Sequence, residues 1–315
     1  MNEYLAVNEI YCGDSRSMLH KVEPNSIAIS IWSPPYHVGK QYEDGQSYDE
    51  WKEMLETVIK NHFEVLKPGG FLAVNIADIL CFPDDNMPRI QADNISNKKC
   101  AVSREDILKV LEAHPDYNRH QLAAELKCSE QTIQRRLEGN NIRGGKHSVQ
   151  TRVKIVGGLI EEMALNAGLY PYDRRIWVKD AAWANSNWTT NSYRAVDEFE
   201  YIYIFWKPGI TKIDRSRLKK DEWTKWGSRA VWHFRSVQRN DNHEAKFPLE
   251  LPSRLIELFT EKGDTVMDCF MGSGTTALAA ALLGRNYIGI EKEAKYVEMS
   301  RRYIEQETAQ IRLQV

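Results

Sequence analysis

The order of apolar and amphipathic segments predicts an α/β fold, with a doubly wound and mostly parallel sheet that carries a helical insert. Near the start, β-branched and apolar runs at 26–31 and 71–76 flank a segment, 48–66, whose apolar residues recur at helical spacing. The same alternation of strand and helix returns over 249–306. Parallel neighbours need a crossover, usually a helix, so both regions indicate βαβ units of one sheet.

The individual elements follow from local pattern and from the residues that end each segment. Gly13 and Asp14 close the opening strand, a Lys-Pro-Gly-Gly sequence at 67–70 stops the first long helix, and Gly168 ends a later one. In chain order, the sequence predicts strands at 5–11 and 26–31, a helix at 48–66, a strand at 71–76, helices at 103–113, 119–126, 130–137 and 156–167, strands at 175–179 and 199–206, a helix at 249–259, a strand at 265–267, a helix at 275–283, a strand at 286–290 and a last helix at 292–306.

Residues 83–145 interrupt this alternation with polar sequence and three short predicted helices. Ser103 is a suitable N-cap for the first helix, and a tight turn at 127–129 separates the second from the third. The apolar residues of the last two helices sit where two short crossed helices meet, and this spacing resembles a helix-turn-helix. These apolar residues are Leu122, Ala123, Leu126, Ile133 and Leu137.

The composition is that of an ordinary globular chain with one large domain or two ordinary ones. Of its 315 residues, 42% are apolar and 27% are charged. No run of about 18 apolar residues occurs, so we expect no membrane span. The first residues lack the basic and apolar regions of a secretory signal, and the five cysteines form no CxxC pair. We therefore expect a cytoplasmic protein with reduced thiols and no bound metal.

Positive charge is concentrated in one stretch of a chain whose net charge is −2. Between Lys207 and Arg239, ten basic residues stand against three acidic ones. Such a patch can hold phosphates even when the chain as a whole is acidic. A solvated loop face is the alternative interpretation.

A glycine-rich turn at 268–276 joins a predicted strand to a predicted helix. Gly272 and Gly274 can take positive φ and let the backbone approach a ligand, and the helix directs free N–H groups to the same place. Glu291 lies at the tip of the next strand, where a carboxylate can accept both hydroxyls of a ribose. The full GxGxxG pattern is absent and no lysine follows the turn, so a nucleoside without phosphates fits best. The alternative is a structural turn with a solvated Glu291.

A second motif, Ser33-Pro34-Pro35-Tyr36, follows the apolar run at 26–31. It offers a polar acceptor, two prolines whose φ is fixed, and an aromatic face. Taken alone, it is equally compatible with a proline turn after a strand. We expect this tetrapeptide and the glycine turn to meet across one cleft.

The segment 270–276 resembles the cofactor loop of DNA methyltransferases that methylate amino groups, and the tetrapeptide resembles their catalytic motif. The catalytic motif comes first, with the basic stretch between the two motifs, and this order resembles the β group of that family. The resemblance covers nearly the whole chain apart from 83–145. It implies a Rossmann-like methyltransferase fold with a circularly permuted sheet, and S-adenosylmethionine as the cofactor.

The resemblance also implies an organisation in five segments. Residues 1–82 and 146–206 form the catalytic half of the methyltransferase domain, and 83–145 form the helical insert. Residues 207–240 are the target-recognition segment, and 241–315 are the cofactor-binding half.

Single residues receive roles from the same resemblance. Glu291 is implied to hold the ribose of the cofactor and Asp14 its adenine end, and the segment at 243–248 is implied to close over its methionine end. Cys269 departs from the family, which usually has proline there. The implied cofactor-binding residues are Asp14, His243, Lys246, Phe247, Asp268, Phe270, Gly272, Ser273, Gly274, Thr275, Thr276 and Glu291.

The implied catalytic residues are Ser33, Pro34, Pro35 and Tyr36. An exocyclic base nitrogen is a poor nucleophile because its lone pair is delocalised into the ring. The Ser33 hydroxyl and the Pro34 carbonyl can accept its hydrogens, on a backbone that the prolines fix in advance. Tyr36 can stack on the base, which must be flipped out of a duplex. In the family, serine at the first position favours cytosine N4 over adenine N6, and C5 chemistry lacks its Pro-Cys nucleophile here.

Double-stranded DNA is the partner that the resemblance implies. The expected DNA contacts are Lys212, Arg215, Arg217, Lys219, Lys220, Lys225 and Arg229 in the basic stretch, and Arg135 and Arg136 in the insert. For the insert, a dimerisation element and an inert insertion remain open. We expect a cognate restriction endonuclease as a further partner, no membrane partner, and a monomer or a homodimer. The rival functions are N6-adenine methylation, RNA methylation, and DNA-binding regulation by an inactive fold.

Overall fold

The computed structural model describes residues 4–35, 47–77, 79–83, 102–137, 151–180, 198–237 and 247–312. The chain divides into two compact units. The first unit comprises Met1–Phe82, Val153–Trp183 and Val196–Val315, and the second comprises Pro83–Arg152 and Ala184–Ala195. Three residues that the resemblance assigns to the site, Tyr36, His243 and Lys246, lie outside the described residues.

Within the described residues, eight strands of the first unit form one mixed sheet, and two further strands form a separate pair. The strands are β1 (Glu9–Cys12), β2 (Ile27–Trp32), β3 (Leu66–Ile76), β4 (Ile79–Pro83), β5 (Thr151–Ile155), β6 (Tyr170–Val178), β7 (Phe199–Trp206), β8 (Val231–His233), β9 (Thr265–Asp268) and β10 (Asn286–Glu291). The order in the sheet is β1-β10-β9-β2-β3-β7-β6-β8, and β4 pairs with β5. Neighbours from β1 to β3 are parallel, β7 is antiparallel to both β3 and β6, and β8 is parallel to β6.

Helices cover both faces of the sheet, as the doubly wound prediction requires. The helices are α1 (Ser15–Met18), α2 (Tyr48–Val65), α3 (Arg104–Ala113), α4 (Arg119–Glu125), α5 (Glu130–Leu137), α6 (Gly157–Asn166), α7 (Lys220–Glu222), α8 (Glu250–Phe259), α9 (Thr275–Leu282) and α10 (Ala294–Arg312). On one face, α1, α2 and α6 bury Met18, Leu55 and Ile160 in a common core. On the other face, α8 and α9 bury Leu255 and Ala279. Among the described helices, none is long and apolar enough to cross a membrane.

The order in which the chain adds strands to the sheet reverses between β9 and β2. From β9 the chain passes through α9 to β10 on one side, and from β2 it passes through α2 to β3 on the other. The carboxyl ends of the strands at such a reversal leave a crevice, which is where open α/β sheets bind ligands. Ser33 follows β2 and Cys269 follows β9, so both predicted motifs begin at this crevice.

Local sequence explains where these elements start and where the prediction differed. A capping box between Ser47 and Glu50 begins α2, which ends at Val65, one residue short of the prediction. The strand β3 starts at Leu66 rather than at residue 71, and its register with β2 shifts between Leu66 and Phe71, where Gly69 takes a φ of +81°. The short strand β8 was missed by the sequence pattern.

The described part of the second unit, residues 102–137, consists of three short helices around one small core. Ile107, Leu122, Ala123 and Ile133 are buried together in that core. Capping boxes begin α3 at Ser103 and α4. These helices lie where the sequence predicted them.

Candidate active site

The carboxyl ends of β2 and β9 bring the two predicted motifs together. These strands pair in parallel, with Ser30 opposite Met267, so the tetrapeptide and the glycine turn leave the same edge of the sheet. The rings of Trp32 and Phe270 pack edge to face, with 5.3 Å between their centroids. The residue before Ser33 therefore contacts the glycine turn directly.

The glycine turn needs residues without side chains. Gly272 takes a φ of +53° and Gly274 a φ of +87°, and Gly274 is the N-cap of α9. A Cβ atom at Gly274 would lie 2.7 Å from Cβ of Ser300 on α10, so a side chain is excluded by space as well as by φ. The helix α9 consequently starts at the crevice, where its unpaired N–H groups favour electron-rich ligand atoms.

Asp268 is buried at the end of β9 and organises the turn from within. Its Oδ1 accepts the N–H of Phe270 at 2.9 Å, and its Oδ2 accepts the hydroxyl of Thr276 at 2.6 Å. Burial raises the pKa of Asp268 to about 7, although the two hydrogen bonds lower it. The contacts of Asp268 and Thr276 thus shape the turn.

Glu291 ends β10 and faces the glycine turn. One carboxylate oxygen accepts the N–H of Gly272 at 2.8 Å, and the other accepts the N–H of Glu293 at 2.9 Å. An ionised carboxylate has about four lone-pair sites, so two remain for hydroxyl donors. This arrangement fits the two adjacent hydroxyls of a ribose.

The other predicted cofactor residues divide between the crevice and the interior. Asp14 follows β1 at the same edge, where it caps α1 and pairs with Arg16 at 2.6 Å, a contact that lowers the pKa of Asp14. Ser273 and Thr275 are nearly buried, with 3.2 Å between their hydroxyl oxygens. Phe247, just before α8, packs against the hydrophobic core.

The tetrapeptide is held at both of its described ends. The Ser33 hydroxyl accepts a hydrogen bond from Asn75 Nδ2 at 2.9 Å. The Pro35 carbonyl accepts one from the indole N–H of the buried Trp51 at 2.8 Å. Ser33 is therefore positioned by β3, the neighbouring strand that carries Asn75, and Pro35 is positioned by α2, which carries Trp51.

A row of four polar side chains runs along this edge of the sheet, and we call it the polar row. It comprises Ser33, Asn75, Glu200 and Lys179. Asn75 Nδ2 also donates to Glu200 Oε2 at 2.6 Å, and Lys179 Nζ pairs with Glu200 Oε1 at 2.6 Å. Asn75 and Glu200 are buried. The sequence analysis missed the last three members, although each of the two buried ones is a single polar residue within an otherwise apolar strand pattern.

Beneath the tetrapeptide, His62 of α2 anchors Trp32. Its Nε2 lies 2.9 Å from Ser30 Oγ and 3.2 Å from Trp32 Nε1, and its Nδ1 lies 2.6 Å from the Val58 carbonyl. An indole N–H can only donate, so Nε2 is the acceptor and Nδ1 carries the proton. Burial lowers the pKa of His62 to about 4. A neutral imidazole therefore fixes the ring that contacts Phe270.

The first part of the basic stretch lies at the edge of the sheet opposite Ser33. Lys212 pairs with Glu261 at 2.6 Å, and Arg217 donates to the Leu258 carbonyl at 3.0 Å. Glu261 precedes β9, so these contacts lie at the edge opposite Ser33, to which the antiparallel β7 carries the chain. The structure thus places Lys212 and Arg217 at the edge of the sheet opposite Ser33.

The later part of the stretch returns to the edge that carries Ser33. Because β8 is parallel to β6, and β6 runs in the direction of β3, β8 ends at that edge. His233 at its end and Arg235 just beyond it are exposed. The other basic residues of the prediction are exposed as well, namely Arg215, Lys219, Lys220, Lys225 and Arg229.

Comparison with known proteins identifies the class to which this fold and site belong. A sequence model described as DNA methylase matches residues 27–302, and the chain belongs to this family. The Type II methyltransferase M.BglI of Bacillus subtilis is 59% identical over 304 residues, which cover 96% of this chain and 87% of that protein.

Solved structures share the fold. The protein TTHA0409 of Thermus thermophilus, complexed with S-adenosyl-L-methionine, gives a TM-score of 0.61 at 22% identity, over 95% of this chain and 93% of that one. The cytosine-N4-specific PvuII DNA methyltransferase gives a TM-score of 0.56 at 19% identity, over 95% and 86% of the two chains.

These findings confirm the predicted fold class and the predicted resemblance to DNA amino-methyltransferases. S-adenosylmethionine is the cofactor, as predicted, and the two lone-pair sites left on Glu291 beside Gly272 and Gly274 fit its nucleoside. Among the described residues, no group of three or more His, Cys, Asp or Glu side chains could hold a metal ion.

Proposed function

We propose that the chain methylates the N4 amino nitrogen of cytosine at a specific site in double-stranded DNA. The observation that carries the proposal is the position of the Ser33 hydroxyl, held by Asn75 at 2.9 Å at the crevice where the glycine turn begins. The name of the relative M.BglI, a Type II methyltransferase, supports a site-specific enzyme with a restriction partner.

The contacts of Ser33 suit it to hold an amino group in one orientation. A hydroxyl has two lone pairs and one hydrogen, and Asn75 occupies one lone pair. The second lone pair can accept a hydrogen from an exocyclic amino group, and the Pro34 carbonyl can accept the other. Drawing both amino hydrogens into hydrogen bonds localises the lone pair on nitrogen. Because these acceptors are fixed beforehand, no reorganisation is needed as charge develops.

Asn75 acts in this proposal as a positioning residue. Its Nδ2 donates to both Ser33 and Glu200, so the amide cannot flip without losing two hydrogen bonds. The ion pair of Glu200 with Lys179 holds the carboxylate in turn. The polar row thereby fixes the direction in which Ser33 Oγ presents its second lone pair.

The glycine turn forms the side of the crevice that holds the methyl donor, which we call the donor side. When bound, S-adenosylmethionine supplies an electrophilic methyl group on a sulfonium. Glu291 accepts the ribose hydroxyls, the backbone of Gly272 and Gly274 permits close approach, and Asp14 meets the adenine end. Phe270, fixed by Trp32 at 5.3 Å between centroids, stands between the donor side and the base side.

We assign DNA contacts to exposed basic residues of the stretch other than Lys212 and Arg217, because these two lie at the edge of the sheet opposite Ser33. Arg235 follows β8 at the edge of Ser33, four strands away, which is roughly 19 Å at normal strand spacing. At that distance it suits contact with a base of the recognition site several positions away from the flipped one. Arg215 lies between Lys212 and Arg217 and is left out with them, so the residues proposed to hold phosphates are Lys219, Lys220, Lys225 and Arg229.

Cytosine N4 and adenine N6 both present an exocyclic amino group, and Ser33 can accept a hydrogen from either. Two facts favour cytosine. The resemblance associates serine at this position with N4 chemistry, and the PvuII enzyme, whose fold this chain shares, is cytosine-N4-specific.

The experiment that tests the proposal identifies the methylated base. Purified protein is incubated with S-adenosylmethionine and mixed-sequence duplex DNA, and the DNA is then digested and its nucleosides separated by mass. We expect N4-methylcytosine, in one sequence context when the same DNA is sequenced with modification detection. N6-methyladenine alone would overturn the choice of base. Methylation of competing RNA in place of DNA, or cofactor binding without any transfer, would overturn the proposal as a whole.

A further inference from the structure

Residues 102–137 of the second unit form a folded module with its own core. Ile107 of α3, Leu122 of α4 and Ile133 of α5 meet there, and each is at most 2% exposed. Isolated helices of this length are marginal in water, so the shared core is what keeps them folded.

The junction between α4 and α5 is a tight turn of defined shape. The N–H of Cys128 bonds back to the Ala123 carbonyl at 2.9 Å, and Lys127 between them takes a left-handed φ of +48°. This conformation is unfavourable for a residue with a Cβ atom and is kept because the helices must turn here. Ser129 then caps α5, with its Oγ accepting the N–H of Thr132 at 3.2 Å.

The helix α5 presents a polar face on the side away from its core residue. Ile133 is fully buried, and Gln131 and Arg135, two positions before and after it, are exposed on the opposite side. Arg136 lies on the flank, where its Nε donates to the Val102 carbonyl at 3.1 Å and braces α5 against the chain before α3. The exposed face therefore combines an amide with a guanidinium.

We propose that α5 is a recognition helix that enters the major groove of double-stranded DNA. The module then gives the chain a second DNA contact besides the catalytic crevice. Two helices joined by a tight turn, with polar side chains on the outer face of the second, form the geometry that reads base edges. Arg135 suits guanine and Gln131 suits adenine, each through two hydrogen bonds. The exposed Lys127 in the turn and Arg119 at the start of α4 suit the flanking phosphates.

The same face is poorly suited to pairing with a second copy of the chain. Helix association in water buries apolar side chains. Over residues 102–137, one large apolar side chain is exposed. It is Leu108, which is 40% exposed and lies on α3 rather than on α5. Charge and hydrogen-bonding capacity are what α5 offers, and both match DNA.

The test measures binding of the full chain to two duplexes that share one methylation site. The short duplex ends close to the site, and the long one extends on both sides. We expect the wild-type chain to bind the long duplex more tightly. Replacing Gln131→Ala together with Arg135→Ala should lower affinity for the long duplex about 10- to 100-fold and leave the short duplex unaffected. Arg135→Lys, which keeps the charge but not the paired hydrogen bonds, should produce part of that loss.

Lys109→Ala is the matched control, because Lys109 is exposed on α3 two positions after its buried Ile107. It should change affinity by less than about twofold. Equal affinities of the Gln131/Arg135 variant and the control would overturn the proposal. So would altered self-association of that variant with unchanged DNA affinity. Methylation of the short duplex is measured on the same samples, so a failure of the proposed function is seen separately.

Discussion

Asn75 joins the tetrapeptide that begins at Ser33 to a partly buried ion pair, because its Nδ2 donates to Ser33 Oγ at 2.9 Å and to Glu200 Oε2 at 2.6 Å. Lys179 holds the other oxygen of Glu200 at 2.6 Å. The orientation of the Ser33 hydroxyl thus depends on three side chains outside the motif. This relationship gives the first prediction.

Asn75→Asp should slow methyl transfer about 100-fold at neutral pH. An ionised carboxylate cannot donate to Ser33 Oγ, and it would stand against Glu200 at hydrogen-bond distance. Two adjacent buried carboxylates share a proton, so lowering the pH should restore one donor and part of the activity. The measurement is the rate of transfer against pH for wild type and variant.

Asn61→Asp provides the control for this change. Asn61 lies on α2 and donates to the Arg16 carbonyl at 3.1 Å, away from the polar row. The Asn61→Asp substitution should leave the dependence of the methyl-transfer rate on pH unchanged. A wild-type rate and profile for Asn75→Asp would remove Asn75 from the proposed mechanism.

Gly274→Ala should abolish binding of S-adenosylmethionine or prevent folding. The new Cβ atom would approach Ser300 Cβ to 2.7 Å in a backbone with a φ of +87°. Gly158→Ala is the contrast, because Gly158 is exposed in α6 with no atom within 4 Å of an added Cβ. That substitution should stabilise the fold by about 0.5 to 1 kcal/mol. Thermal unfolding and calorimetric titration with the cofactor measure both effects, and normal cofactor affinity in Gly274→Ala would contradict the assigned turn.

His62 should make stability fall as the pH is lowered. Its pKa is about 4 in the folded chain and 6.5 in the unfolded one, so this contribution is complete above pH 6.5 and is lost progressively as the pH falls to 4. At about pH 5 the loss should be about 2 kcal/mol relative to neutral pH. His62→Gln removes the titration, so its free energy of unfolding should fall less between these two conditions.

Urea unfolding of both proteins at the two pH values measures that difference. Protonating His62 at Nε2 would also remove the acceptor of the Trp32 indole N–H, and the Trp32 ring supports Phe270. Equal losses of stability in wild type and His62→Gln would show that the imidazole is not the group responsible.

Features encoded by neighbours in sequence were predictable. The apolar run at 26–31, the prolines after it and the glycines at 272 and 274 act over a few residues, and parallel βαβ units bring the ends of their strands to one edge. The meeting of the two motifs at the reversal between β9 and β2 follows from that topology.

Features that depend on distant pairing could not be predicted in this way. The contact of Asn75 with Glu200 joins residues 125 positions apart, on strands whose antiparallel pairing no local pattern specifies. The same antiparallel β7 carries Lys212 and Arg217 to the edge opposite Ser33, and a count of charges along the chain cannot show at which edge a charge lies. The strand β8 has three residues, of which only Trp232 is buried, too few to show a period.

The measurement that tests the central claim most directly is the behaviour of Ser33→Ala, with Ser26→Ala in the turn before β2 as the control. If Ser33 holds the amino group while the glycine turn separately holds S-adenosylmethionine, the turnover rate should fall about 100- to 1,000-fold. Calorimetric affinity for the cofactor should stay at the wild-type value, and Ser26→Ala should retain both. Wild-type turnover in Ser33→Ala, or loss of its cofactor binding, would contradict the division of labour between the two motifs.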